Sequence, residues 1–216
     1  MTVTSSAGQP VSIGTQGLHG ELHLPANAQG MVLLGTGPAS LPAAEQQQDM
    51  AAGLHAHGLG TLVLELMVAS QMQGRHPVLD LPLLSDRLLQ ALQWLGGQNK
   101  LNPLPLGMLG MGLGASAALL TCARAPGRVR AVVAHEGRPE LAGAHLRQVR
   151  VPALWITDDS DTGVLELKRY ALRTLPGPKQ LEVLSGPNGR HPLMRQCQAA
   201  ADLAGQWFTT HLPRPH

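Results

Sequence analysis

The chain has 216 residues, enough for one domain with a sizeable core, and 44% of them are apolar, which excludes a disordered chain. Only 14% are charged and the formal net charge is +2; with no concentrated basic block, and with aromatic residues confined to Trp94, Trp155, Tyr170, Trp207 and Phe208, nucleic acid is excluded as a partner. No apolar run is long enough to cross a bilayer, and Met1 to Ser6 shows no basic stretch followed by an apolar one, so a cytoplasmic protein without a secretory signal is expected.

Val11 to Ile13 and Leu18 to Leu24 alternate with period two and predict an N-terminal antiparallel pair. Met31 to Leu34 is continuously apolar, as a strand buried on both faces requires. Glu45 to His57 predicts a helix closed by Gly58, and Thr61 to Leu66 the next buried strand. Met67 to Pro82 reads as irregular. From Leu83 to Leu95, Leu84, Leu88, Ala91, Leu92 and Leu95 fall on one helical face. A short strand, Leu106 to Leu109, leads through a glycine-spaced turn into a helix from Ala115 to Ala125. A strand at Val129 to Ala134, a short helix at Pro139 to Leu146 and a strand at Ala153 to Thr157 follow. A helix from Val164 to Thr174 turns Val164, Leu167, Ala171 and Leu172 inward. A last strand, Leu181 to Leu184, and a terminal helix, Arg195 to His211, complete the chain. Strands alternating with helices predict one α/β domain, a doubly wound, mostly parallel sheet covered on both faces, with residues 1–10 and 213–216 flexible. Cys122 and Cys197, far apart in helical runs, read as buried free thiols.

The turn Gly110-Met111-Gly112-Leu113-Gly114 stands between strand and helix, the setting of the nucleophile elbow G-x-S-x-G. Gly112 occupies the serine position and has no side chain with which to attack a carbonyl. Ser116 lies more than one turn into the following helix and is a poor substitute; Thr121 and Cys122 lie further still.

Four stretches carry a family likeness: Leu83-Leu84-Ser85-Asp86-Arg87-Leu88 with Ala91 and Trp94-Leu95; Gly107 to Ala115 around the turn; Gly137-Arg138-Pro139-Glu140-Leu141-Ala142-Gly143, the most specific; and Trp207-Phe208. From about Leu18 to the terminal helix the chain resembles α/β-hydrolase-fold proteins of the dienelactone-hydrolase-like kind, small bacterial proteins of about this length. In working members a serine or cysteine attacks, a histidine is the base and an aspartate orients it. Carried over by position, the resemblance implies Asp161 as the aspartate and His191 as the base, a degenerate triad whose nucleophile position is Gly112. The family's H-G pair near the oxyanion hole is Thr36-Gly37 here.

Ligands in open α/β sheets sit at the carboxyl ends of the strands. Ligand contacts are therefore expected from Thr36, Gly37, Gly112, Leu113 and His135, with Asp161 and His191 beside them. Free N–H groups at the start of the helix after the turn favour a small anion or carboxylate. Asp158, Asp159 and Asp161 could hold a hard cation, but no partner cluster exists elsewhere; no metal and no cofactor are expected. The expected protein is a diverged member without serine-hydrolase chemistry, binding a small ligand or a partner in the old crevice. One alternative is a working ester or lactone hydrolase using another nucleophile, such as water held by His191 and Asp161. A second is a dinucleotide-binding protein, because Gly110-x-Gly112-x-x-Ala115 also fits G-x-G-x-x-A, with Glu136 as the ribose-binding acid.

Overall fold

The computed structural model describes residues 8–14, 17–37, 41–67, 80–158, 161–184 and 193–212. The elements run in the order β1 (Gln9–Ile13), β2 (Leu18–His23), β3 (Met31–Thr36), α1 (Leu41–Ala56), β4 (Gly60–Glu65), α2 (Leu81–Gly96), β5 (Leu106–Met111) and α3 (Leu113–Arg124). They continue with β6 (Ala131–His135), a 3-10 segment (Pro139–Gln148), β7 (Ala153–Asp158), α4 (Thr162–Arg173), β8 (Lys179–Leu184) and α5 (Leu193–His211). One sheet of eight strands has the order β1-β2-β4-β3-β5-β6-β7-β8. β1 pairs with β2 and β2 with β4 antiparallel, and the remaining pairs are parallel. The doubly wound α/β expectation holds.

The two faces explain the unbroken apolar runs. Leu33, Leu62, Leu64, Met108, Val132 and Trp155 join one core, under α2 and α3. Val32, Leu34, Val63, Leu109, Val133 and Ile156, their neighbours in sequence, join the other, under α1 and α5. A strand covered on both sides has no polar face to offer, so alternation vanishes. Among the described residues no helix is long and apolar enough to cross a membrane. Cys122 and Cys197 are buried and free, as expected.

Several boundaries differ from the sequence reading. Gln9 and Pro10, expected in a flexible terminus, pair with Leu22 and Glu21 on the sheet edge, where a proline costs no ladder bond. α2 starts at Leu81: Asp80 caps it by accepting from the Leu83 N–H at 3.0 Å, and Pro82 sits in the first turn, where its missing N–H costs nothing. α1 likewise starts at Leu41 rather than Glu45. The short helix at Pro139 is a 3-10 segment, broken at Gly143 by a φ of 56°. The inward face of α4 is Leu165, Lys168, Ala171 and Leu172, whereas Leu167 is 42% exposed. The stripe is shifted because Lys168 buries its stem and brings its amine to Thr157. Residues 68–79, which hold Arg75, His76 and most of the stretch read as irregular, lie outside the described residues, as do 213–216.

Candidate functional site at the carboxyl ends of the strands

β5 ends at Met111, and Gly112 makes the turn with φ 55° and ψ −118° before α3 begins at Leu113. This is backbone that L side chains rarely adopt. Gly112 donates its N–H to the His135 carbonyl at 3.1 Å and accepts from the Ala115 N–H at 3.2 Å. A Cβ built on Gly112 meets nothing within 4 Å among the described residues. On Gly110 a Cβ would stand 2.2 Å from the Gly114 oxygen, and on Gly114 it would stand 2.1 Å from the Gly35 oxygen. The flanking glycines are there because α3 starts hard against β3 and β5. Of these three glycines, only Gly112 has room for a side chain among the described residues.

The ligand contacts named from sequence gather around this turn, though not all offer side chains. A Cβ on Gly37 would lie 3.9 Å from Leu113 Cβ, so Gly37 faces the start of α3. Thr36 is buried, and its hydroxyl is occupied by Gln47 Oε1 (3.1 Å) and the Leu64 carbonyl (3.3 Å); what Thr36 presents here is backbone. The start of α3 has no side-chain cap. Ser116 is buried and donates to the Arg138 carbonyl at 2.6 Å, which ties α3 to the 3-10 segment and removes Ser116 as a nucleophile. Burial pushes the Cys122 thiol up to about 12, and raises that of Cys197 as well, so neither is a ready thiolate.

His135 closes β6 opposite Met111 and is 3% exposed. Burial, aided by the Lys168 cation, lowers its pKa to about 4, so the ring is neutral near pH 7. Its Nε2 lies 3.9 Å from Glu136 Oε1, and its Nδ1 has no hydrogen-bond partner among the described residues. Glu136 has φ 56°, the one positive value at a described non-glycine residue. It is half-buried, and burial, then the Asp158 charge, hold its carboxyl above the usual range. Lys168 donates to Thr157 Oγ1 at 2.6 Å, and burial lowers its pKa.

Asp161 caps α4: its Oδ1 accepts from the Val164 N–H at 3.0 Å, and the residue is exposed. His191, Asp159 and Ser160 lie outside the described residues. Among the described residues no group of three His, Cys, Asp or Glu side chains is placed to hold a metal ion. The positive φ of Glu136 left no mark in the sequence. Lys168 did leave one, a cation on the apolar face of an amphipathic helix.

No protein-family model matches the chain. It is 30% identical to a dienelactone hydrolase of Anabaena variabilis, whose crystal structure it covers completely over 96% of its own length, with a TM-score of 0.85. It also matches the esterase domain of a Rhodothermus marinus protein, at 16% identity and a TM-score of 0.71 over 96% of this chain and 100% of that one; this likeness speaks for the fold alone. Over 196 residues it is 35% identical to a Mycobacterium tuberculosis protein named "Putative phosphoribosyl transferase". That match takes in 91% of this chain but 44% of the relative, so the chain spans under half the length of the curated relatives it matches.

Proposed function

Because this chain belongs to the dienelactone-hydrolase-like family of α/β-hydrolase-fold proteins, we propose that it is a diverged member that works without serine-hydrolase chemistry and binds a small carbonyl- or carboxylate-bearing ligand in the crevice over Gly112. The observation that carries this reading is the elbow itself. Its backbone has the sharp strand-to-helix turn of a nucleophile elbow, its tip has room for a side chain among the described residues, and the residue there is glycine. The start of α3, which has no side-chain cap, offers backbone N–H groups beside it. The buried free thiols fit a reducing cytoplasm.

A second reading, hydrolysis of an ester or lactone by a route that needs no side-chain nucleophile, is favoured by the titratable pair His135 and Glu136 next to the same turn. The transferase name belongs to a protein more than half of which lies outside the match, and it is not carried to this chain. The dinucleotide reading is weakened by chain order: four strands precede β5, whereas the fingerprint marks the first βα turn of its fold.

The test is reaction with a fluorophosphonate probe. The wild-type protein is expected to stay unlabelled and Gly112→Ser to label at the new hydroxyl. If His191 and Asp161 form the remnant triad, His191→Ala and Asp161→Asn in the Gly112→Ser background abolish that labelling. Labelling of a serine in the wild-type protein would overturn the proposal.

A further inference from the structure

Gly112 is flanked by one short segment, the end of β6. The His135 carbonyl receives the Gly112 N–H at 3.1 Å, and a Cβ on Gly137 would come within 1.9 Å of the Gly112 oxygen. Glu136 lies between these two points of contact. It takes a backbone conformation that glycine adopts freely and glutamate does not. Backbone strain of this kind persists where the surrounding structure over-determines it, and it clusters at ligand-binding and active sites.

The side chain is suited to proton chemistry. It is half-buried, neither lost in the core nor fully solvated. Burial and Asp158 keep it more basic than a surface carboxylate. Behind it stands His135, neutral and buried, its Nε2 3.9 Å from the carboxylate and its Nδ1 without a partner among the described residues. Most buried ring nitrogens are hydrogen-bonded, and among the described residues this one is not. Lys168 and Asp158 are the charges that act on both groups, and they oppose one another.

Building on the second reading above, we propose that Glu136 is the general base for water-mediated hydrolysis of a small ester or lactone seated over Gly112, with His135 as its positioning residue. The water oxygen bonds to the carbonyl carbon as its proton passes to the Glu136 carboxylate. The carbonyl oxygen takes the negative charge and faces the N–H groups at the start of α3. Collapse breaks the bond to the leaving alkoxide, which takes the proton from Glu136, and the carboxylate is restored. No acyl-enzyme forms, and glycine at the elbow leaves room for the water.

The full-length protein with p-nitrophenyl acetate tests this. The wild type is expected to turn over, and Glu136→Gln to lower kcat by about 100-fold or more while KM stays within about twofold, as loss of a general base predicts. The wild-type rate should rise with pH through a value above the ordinary carboxylate range, and this limb should vanish in Glu136→Gln. His135→Gln should displace the limb without abolishing turnover, which a purely structural role would not do. Mass spectra of quenched turnover mixtures should show no acetyl adduct. A melting temperature of Glu136→Gln no lower than wild type shows that the variant is folded. Turnover in Glu136→Gln within about threefold of wild type overturns the assignment. So does a silent wild-type protein whose Gly112→Ser variant labels with fluorophosphonate, and there the ligand-binding reading stands. Failure of both the turnover and the labelling brings down both readings.

Discussion

Gly112 and Glu136 stand at the carboxyl ends of neighbouring strands with nearly the same φ, 55° and 56°. At the turn after β5 the residue is Gly112, and no atom of the described residues lies within 4 Å of its side-chain position. At Glu136, where glycine would be relaxed, a carboxylate is held against backbone preference. The elbow is governed by sterics alone, with jammed flanks and no titratable group. The rim beside it is governed by charge and burial, with a neutral histidine, a carboxyl held basic and a buried lysine. The titratable side chains beside this turn therefore belong to the rim, and the elbow carries none.

The largest effect should come from breaking the elbow's flank. Gly114→Ala drives a methyl group into the Gly35 carbonyl, and neither backbone can yield cheaply. A loss of about 3 kcal/mol, or a fall of roughly 10 °C in melting temperature, is expected by calorimetry. The rim should then respond to acid where the elbow cannot. His135 resists protonation between its ordinary 6.5 and about 4, while the unfolded chain takes up the proton freely. Its contribution is thus present above pH 6.5 and is lost as pH falls towards 4. The loss is on the order of 2–3 kcal/mol, and thermal melts of His135→Gln should show a flatter slope across that window. His55, lowered to about 4 by burial and by His23, adds to the same slope.

Two swaps sharpen the comparison because they should have opposite signs. Gly112→Ser places a side chain on strained backbone but in open space, so stability should fall by only about 1–2 kcal/mol in denaturant titrations. Glu136→Gly removes strain together with a half-buried carboxylate whose ionisation is disfavoured. A gain of about 1 kcal/mol is expected at pH 7. The raised carboxyl favours the folded state at low pH, and that advantage disappears as pH rises through the folded value, so the gain should shrink towards pH 4. A Glu136→Gly variant less stable than wild type at pH 7 would show that the rim is not strained.

Much of the fold was legible in sequence because burial on both faces leaves a plain signal: Met31–Thr36, Leu106–Met111 and Ala131–His135 are apolar almost throughout. The elbow was legible from the spacing of its glycines. Helix starts were less so, since Pro82 reads as a breaker until the Asp80 cap shows it in a first turn. The inward face of α4 was misread by one residue because a lysine in the stripe looks like solvent exposure.

By itself the sequence determined the α/β class, the order of the elements and the glycine-spaced turn after β5, because hydrophobic periodicity and turn chemistry are local. Only the tertiary structure decided that, among the described residues, Gly112 has an open side and Gly114 none. The fold also turns Thr36 and Ser116 away into bonds of their own, and it holds Glu136 strained beside a histidine whose Nδ1 has no hydrogen-bond partner among the described residues. Those properties depend on which atoms of distant segments meet, and side-chain room, burial and charge proximity exist only once the sheet has brought β3, β5, β6 and β7 together.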